Sequence, residues 1–187
     1  PLVASYGFCL PHKGIEELVE AVAILRDQGS PVRLLLINAE YPVPVSAALI
    51  KKIKCLINEF GLEDLAEFNC QFLSDDESLK LLSAADLVVY PYQQTGESAS
   101  GAVRYGLASK RPVAVTPLSI FDDISTAAFR FRGTAPASIA SGISEVLKSL
   151  SLNSQEARDI QESSNRWREE FDYAAVGRRL YGICSAL

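Results

Sequence analysis

Two short segments carry the residue types from which an anion site can be built. His12-Lys13-Gly14 stands just ahead of a helix-like stretch, where a lysine beside unpaired backbone N–H groups can hold phosphate oxygens. Taken alone, the segment reads equally well as a surface lysine next to a helix-starting glycine. The second segment runs from Gln93 to Arg104 and is rich in small and polar residues. Ser98, Ala99, Ser100 and Gly101 let a ligand approach the backbone closely, and a helix opening there presents free N–H donors to a diphosphate. Glu97 precedes that opening and could simply complement the helix dipole. A carboxylate beside a phosphate is repulsive unless it serves sugar hydroxyls, for which an acceptor-only group is suited, and that is the sharper expectation.

Other chemistries find little support. The chain has no G-x-G-x-x-G and no Walker sequence, which counts against nicotinamide enzymes and P-loop ATPases. The single histidine, His12, reads as an exposed loop residue, and no Ser or Cys nucleophile is placed by motif to form a triad with it. Asp122 and Asp123 can cap a helix or touch a ligand or partner domain, but no further ligands accompany them as a metal pair. Cys9, Cys55, Cys70 and Cys184 are scattered without a C-x-x-C pair, so they are expected to be reduced and mostly buried, with no metal site. A net charge of -5 argues against general nucleic-acid binding.

These segments must be held by a framework, and the hydrophobic pattern supplies one. The 187 residues, 48% hydrophobic and 22% charged, suffice for one globular core. Strands are expected at Leu2 to Tyr6, Val32 to Ile37, Ala66 to Phe72, Leu87 to Tyr90, Val113 to Val115 and Phe129 to Phe131. Between them Ile15, Leu18, Val19 and Val22 mark one helical face, with Gly29 closing the helix, and Leu49, Ile53, Leu56, Ile57 and Phe60 mark another. Lys51, Lys52 and Lys54 form a solvated face of that second helix. Further helices are expected from about Asp75, capped by Ser74 or Asp75, over Ser100 to Ala108 and over Pro136 to Ser149. The alternation predicts a doubly wound α/β domain with a mainly parallel sheet and helices on both faces, in which ligands gather outside the carboxyl ends of the strands. That domain is expected over residues 1–150, with two helices in 151–187 packing on it through Trp167, Phe171 and Tyr181.

No apolar run approaches the roughly 20 residues that span a bilayer, and no signal-peptide pattern opens the chain, so a cytoplasmic location is expected. The sequence holds no methionine and begins at Pro1, and it reads as an excised piece of a longer protein.

At this point a resemblance enters. Gly7-Phe8-Cys9-Leu10-Pro11-His12-Lys13-Gly14-Ile15 is similar to the G-R-L-x-x-x-K-G segment of retaining glycosyltransferases of family 4, the group 1 type with two Rossmann-like domains called GT-B. Ala84-Ala85-Asp86-Leu87-Val88-Val89-Tyr90-Pro91 resembles the A-D-x-x-x-x-P strand of that family, followed at the matching distance by Glu97 and by Lys110 to Thr116. The resemblance spans about Ser5 to Leu150 and implies the carboxy-terminal, donor-binding half of a GT-B enzyme. It implies that Lys13, Gly14 and the run Ser98, Ala99, Ser100 and Gly101 bind the donor diphosphate. Glu97 would contact the transferred sugar near the reacting carbon, and Leu73 and Ser74 would border the nucleoside. Two departures stand out. Phe8 occupies the place of the usual arginine, and Tyr105 the place of the second glutamate, which holds the ribose; Arg104 beside it offers a different anion contact. The resemblance further implies that no cofactor or metal is needed, the nucleotide-diphosphate sugar being the donor substrate, and that a hexose passes to a saccharide or lipid-linked acceptor in polysaccharide biosynthesis. The acceptor domain would be the missing amino-terminal half, which would also carry any membrane association, and the isolated piece would be inactive and prone to self-association through its uncovered apolar surface. A nucleotide-sugar epimerase domain and a non-catalytic ligand-binding or assembly module remain as alternative readings.

Overall fold

The central strands, with Leu34 to Ile37, Leu87 to Tyr90 and Val113 to Val115 buried, are too apolar to face water and pair side by side so that helices cover them on both faces, while more polar strands close the two edges. In the computed structural model, which describes residues 1–186, the chain alternates β1 (Leu2–Phe8), α1 (Ile15–Asp27), β2 (Arg33–Ala39), α2 (Pro44–Glu59), β3 (Ala66–Asn69), α3 (Asp75–Ser83), β4 (Leu87–Tyr90), α4 (Gly101–Ala108), β5 (Val113–Val115), β6 (Phe129–Arg130) and α5 (Pro136–Ser151). Helices α6 (Gln155–Phe171) and α7 (Tyr173–Ser185) close the chain.

All five strand pairings are parallel, and the order across the sheet is β3-β2-β1-β4-β5-β6. This is the Rossmann-type doubly wound order, which reverses between β1 and β4 and leaves a crevice at their carboxyl ends. The two-residue period of the strands divides the interior into two cores. Val3, Leu34, Leu36, Leu87 and Val89 face α1, α2 and α5, whereas Ala4, Leu35, Ile37, Val88 and Tyr90 face α3, α4 and the turn at residues 119–124.

Local sequence fixes the helix ends. Pro44 and Pro136 begin α2 and α5, where a missing N–H costs nothing. Ser74 caps α3 in a reciprocal box with Glu77, each side chain bonding the other's backbone N–H. Gly29, at φ 73°, lies just past the end of α1 as expected.

Several expectations need correction. β1 extends to Phe8 because β2 pairs with it through Ala39. β3 ends at Asn69 rather than Phe72, since it is an edge strand whose later residues find only the Glu40 N–H as a sheet partner, bonded to the Cys70 carbonyl. Only Cys9 is buried; Cys55 and Cys184 are exposed, although all four are free thiols. In the carboxy-terminal helices Trp167 packs against the second core and Phe171 stacks on it at 5.0 Å, but Tyr181 is exposed, because α7 rests on α6 and touches little else. Leu187, the last residue of the segment expected at 151–187, lies outside the described residues. Lys52 is not merely solvated but pairs with Glu16 of α1. No helix among the described residues is long and apolar enough to cross a membrane.

Candidate functional site

The loops after β1 and β4 meet over the crevice. After β1 the chain makes a single 3-10 turn, Pro11–Lys13, and enters α1 through Gly14 at φ 68°. After β4 it passes Pro91 and Tyr92 and runs to the start of α4. The two are joined directly: the Gln93 backbone N–H donates to the His12 carbonyl at 2.8 Å. Gly14 is pressed so closely on Pro91 that a Cβ there would lie 1.8 Å from the Pro91 carbonyl oxygen. Gln93 reinforces the junction, its amide donating to the carbonyls of Pro91 and Thr134, each at 3.1 Å.

This junction brings together residues 84 apart in sequence. The Lys13 ammonium donates to Glu97 Oε2 at 3.0 Å and sits 4.1 Å from the centre of the Tyr92 ring. Lys13 is only 12% exposed, whereas Glu97 is 43% exposed. A cation so far withdrawn from water is held by the carboxylate and by the electron-rich face of the ring. It has three N–H donors and spends one on Glu97, so others remain for a ligand. Nε2 of His12 lies 3.1 Å from Glu97 Oε1. That nitrogen is buried and lacks the alignment of a hydrogen bond.

Electrostatics follow from this packing. Partial burial alone would raise the Glu97 carboxyl, but the hydrogen bond and charge of Lys13, aided by His12, hold it below its ordinary value. His12 is pushed down from the ordinary histidine value, first by burial and then by the neighbouring Lys13 charge, against which Glu97 acts only in part. The packing therefore favours the neutral imidazole of His12 and the ionised carboxylate of Glu97.

The start of α4 completes it. Ser100 is buried, its hydroxyl shared between the Tyr92 phenol at 2.9 Å and the Val103 N–H at 3.4 Å. It is thus a helix cap rather than a side chain open to a ligand. The first N–H groups of a helix have no acceptor within it. With Val103 taken by the cap, those of Gly101 and Ala102 remain as donors, and Ser98, Ala99 and Gly101 are exposed beside them.

Arg104 is not brought to this cluster. Its guanidinium donates to the Ser100 carbonyl at 2.8 Å, pairs with Asp123 and lies 5.9 Å from the Trp167 ring, so it braces α4 against its neighbours. Asp122 is likewise used within the protein, by Arg130 at 2.6 Å. Tyr105, Leu73 and Ser74 do converge: the Tyr105 hydroxyl donates to Asp75 Oδ1 at 2.7 Å, next to Ser74, and its ring lies 4.9 Å from that of Tyr6. The Ser74 hydroxyl is spent on Glu77 at 2.6 Å as part of the α3 cap. Phe8 packs against Tyr41 and the exposed Phe72, with ring centres 4.9 and 6.0 Å away.

Two members of the site escape a reading of the sequence. His12, expected to be an exposed loop residue, is a quarter exposed and turned to Glu97. Tyr92 links the Lys13 ammonium to the Ser100 cap, and the only local signal for it is an aromatic residue continuing past Pro91 into an otherwise polar loop. Among the described residues no three His, Cys, Asp or Glu side chains are grouped as metal ligands. A groove of about 370 Å³ at the β6 edge, between that strand and α5, is lined by Arg130, Arg132, Ser138 and Glu145 and contains none of these residues. The convergent polar groups lie at the crevice instead, and binding sites are marked by those.

Residues 1–167 match the family described as glycosyl transferases, group 1. No curated protein matches the chain. Among solved structures it is similar to a glycosyltransferase from Rickettsia africae ESF-5, with 17% identity and a TM-score of 0.79 over 98% of this chain and 46% of that one. It is also similar to HepE from Anabaena, solved in complex with UDP-glucose, with 17% identity and a TM-score of 0.79 over 100% of this chain and 49% of that one. The chain thus spans about half the length of both. A third likeness is to the C-terminal domain of a glycosyl transferase group 1 family protein, LpcC, from Francisella tularensis, with 17% identity and a TM-score of 0.71 over 88% of this chain and 84% of that one.

Proposed function

Since the chain belongs to the group 1 glycosyl transferases, we propose that it is the donor-binding domain of a retaining hexosyltransferase, working with an acceptor domain supplied by the rest of a longer protein. The observation that carries this reading is the contact of Lys13 with Glu97 across two loops, beside the free N–H groups of α4. In this reading the pyrophosphate lies between the Lys13 ammonium and the α4 N-terminus, with the attached sugar beside Glu97. The UDP-glucose of HepE, a structure of the same fold, is a donor of this chemical class.

Transfer breaks the bond between the anomeric carbon and the β-phosphate oxygen, and the electron pair remains on that oxygen. Lys13 and the α4 N-terminus are aimed where this negative charge grows, and they are already in place before the reaction, which is the economical form of electrostatic catalysis. In this reading no metal ion is required. Glu97, kept ionised by Lys13, accepts hydrogen bonds from the sugar hydroxyls and fixes the sugar relative to the breaking bond. The acceptor hydroxyl attacks from the side the leaving group departs and gives its proton to the departing β-phosphate oxygen, so that the configuration is retained. The acceptor is a saccharide or a lipid-linked acceptor, the setting is cytoplasmic polysaccharide assembly, and the domain alone turns nothing over.

Calorimetric titration with UDP, GDP and ADP sugars tests the proposal. One of the three is expected to bind saturably, and Lys13→Ala is expected to weaken it at least tenfold, about 1.4 kcal/mol, as loss of a charge-assisted hydrogen bond should. Absence of saturable binding for all three would overturn it.

A further inference from the structure

The pyrophosphate position proposed above leaves the nucleoside to be placed, and one constellation of polar groups lies along α4 from it. Tyr105 is four residues past Gly101, about 6 Å along the helix. Its ring is steadied by Tyr6, and its hydroxyl donates to Oδ1 of Asp75. Asp75 is the first residue of α3, yet the cap of that helix is complete without it, being formed by Ser74 and Glu77. Its carboxylate turns instead to Tyr105 on another helix. The hydrogen bond to Asp75, together with partial burial, pushes the Tyr105 phenol up to about 12, so it remains a donor throughout the neutral range. A phenol and a carboxylate are thereby locked in one orientation, with one carboxylate oxygen occupied. Oδ2 has no hydrogen-bond or ion-pair partner among the described residues, and the side chain is exposed.

A carboxylate is the group suited to a vicinal diol, because it accepts from both hydroxyls and donates to neither. Position 105 itself offers a phenol, which can donate or accept once but cannot take both hydroxyl protons.

We propose that Asp75, oriented by Tyr105, accepts the ribose hydroxyls of the donor nucleotide and makes the site selective for ribonucleotides over 2′-deoxyribonucleotides. The carboxylate is supplied by α3 across the crevice, and Tyr105 is a positioning residue. This assignment rests on the donor-site reading above.

The test compares affinities of the chain for UDP, GDP and ADP with those for their 2′-deoxy counterparts, in wild type, Asp75→Ala and Tyr105→Phe. Wild type is expected to prefer the ribonucleotide about tenfold, the effect of one hydrogen bond to a charged group. Asp75→Ala should bring that ratio close to one while the deoxynucleotide, which loses only its 3′ contact, still binds saturably, which also shows that the variant is folded. Tyr105→Phe should reduce the ratio in part, a change that loss of packing alone would not produce. Saturable binding with equal affinity for both sugars in wild type, or an undiminished ratio in Asp75→Ala, would overturn the assignment and leave the donor site standing. Failure of all six nucleotides to bind wild type would overturn the donor site and this assignment with it.

Discussion

Replacing Gly14 by alanine probes the junction on which the site depends. Two costs can be separated. The first is conformational: φ is 68° at Gly14, a left-handed value that costs a residue with a Cβ about 1 kcal/mol. The second is steric. The new Cβ would lie 1.8 Å from the carbonyl oxygen of Pro91 and 2.8 Å from its carbon, both backbone atoms that no rotamer change can remove. Roughly 1–2 Å of separation must open between the loops to restore ordinary contact, with an overpacking cost of about 1–3 kcal/mol. Together they amount to about 3 kcal/mol, which for a chain of this size lowers the melting temperature by about 6–12 °C. Gly29→Ala supplies the control, since φ there is 73° but a Cβ would meet nothing within 4 Å. It should lose only the conformational part, about 2–4 °C. Melting followed by circular dichroism measures the difference, and nucleotide titration of the two variants should show weakened binding for Gly14→Ala alone, because Lys13 is the adjacent residue. Equal melting losses with unchanged affinity would refute the close apposition of the two loops.

The remaining predictions concern chemistry and surface. In the full-length enzyme, Glu97→Gln should lower kcat by at least a hundredfold with little change in melting temperature, since the residue is largely exposed; wild-type turnover would refute its role. His12 has a depressed pKa in the folded chain, so it favours folding above the ordinary value of 6.5 and this contribution is lost as pH falls through the folded value. The stability of wild type relative to His12→Asn should therefore decline on acidification below about pH 6.5, and a pH-independent difference in denaturant midpoints would contradict the burial of that imidazole. Glu97 acts with the same sign at lower pH, losing its contribution below the ordinary value of 4.5. Leu180, Tyr181 and Ile183 are exposed on α7, and the chain should self-associate through them; light scattering should show Leu180→Asp to be less associated, whereas a wild-type monomer at every concentration would contradict this.

The framework was legible in the sequence because its signals are local. Apolar runs of period two and stripes of period 3.6 placed every strand and helix, and Pro and Gly marked their ends. Lys13 and Glu97, which the structure brings into contact, were each singled out from their own segment: a lysine at a helix entrance and an acid ahead of a small-residue turn. Their partners were not, because partnership across 84 residues is decided by the sheet order and leaves no periodic trace. Tyr92 drew no reading from the sequence, although it supplies both the ring beneath Lys13 and the hydroxyl that holds the Ser100 cap. Arg104 shows the converse. A cation near a phosphate site was an attractive contact, but Asp123 and the Ser100 carbonyl had already engaged it. Boundary errors fell at β1 and β3, where pairing with β2, rather than the sequence pattern, decides how far the strands extend, and the expected packing of Tyr181 failed because α7 rests on little besides α6.

A structure of the chain crystallised with its nucleotide-sugar donor would locate the diphosphate. Its pyrophosphate oxygens are expected on the Lys13 ammonium and on the N–H groups of Gly101 and Ala102, with a sugar hydroxyl on Glu97. A donor seated instead in the groove beside Arg130 and Arg132, with Lys13 still bound only to Glu97, would contradict this placement.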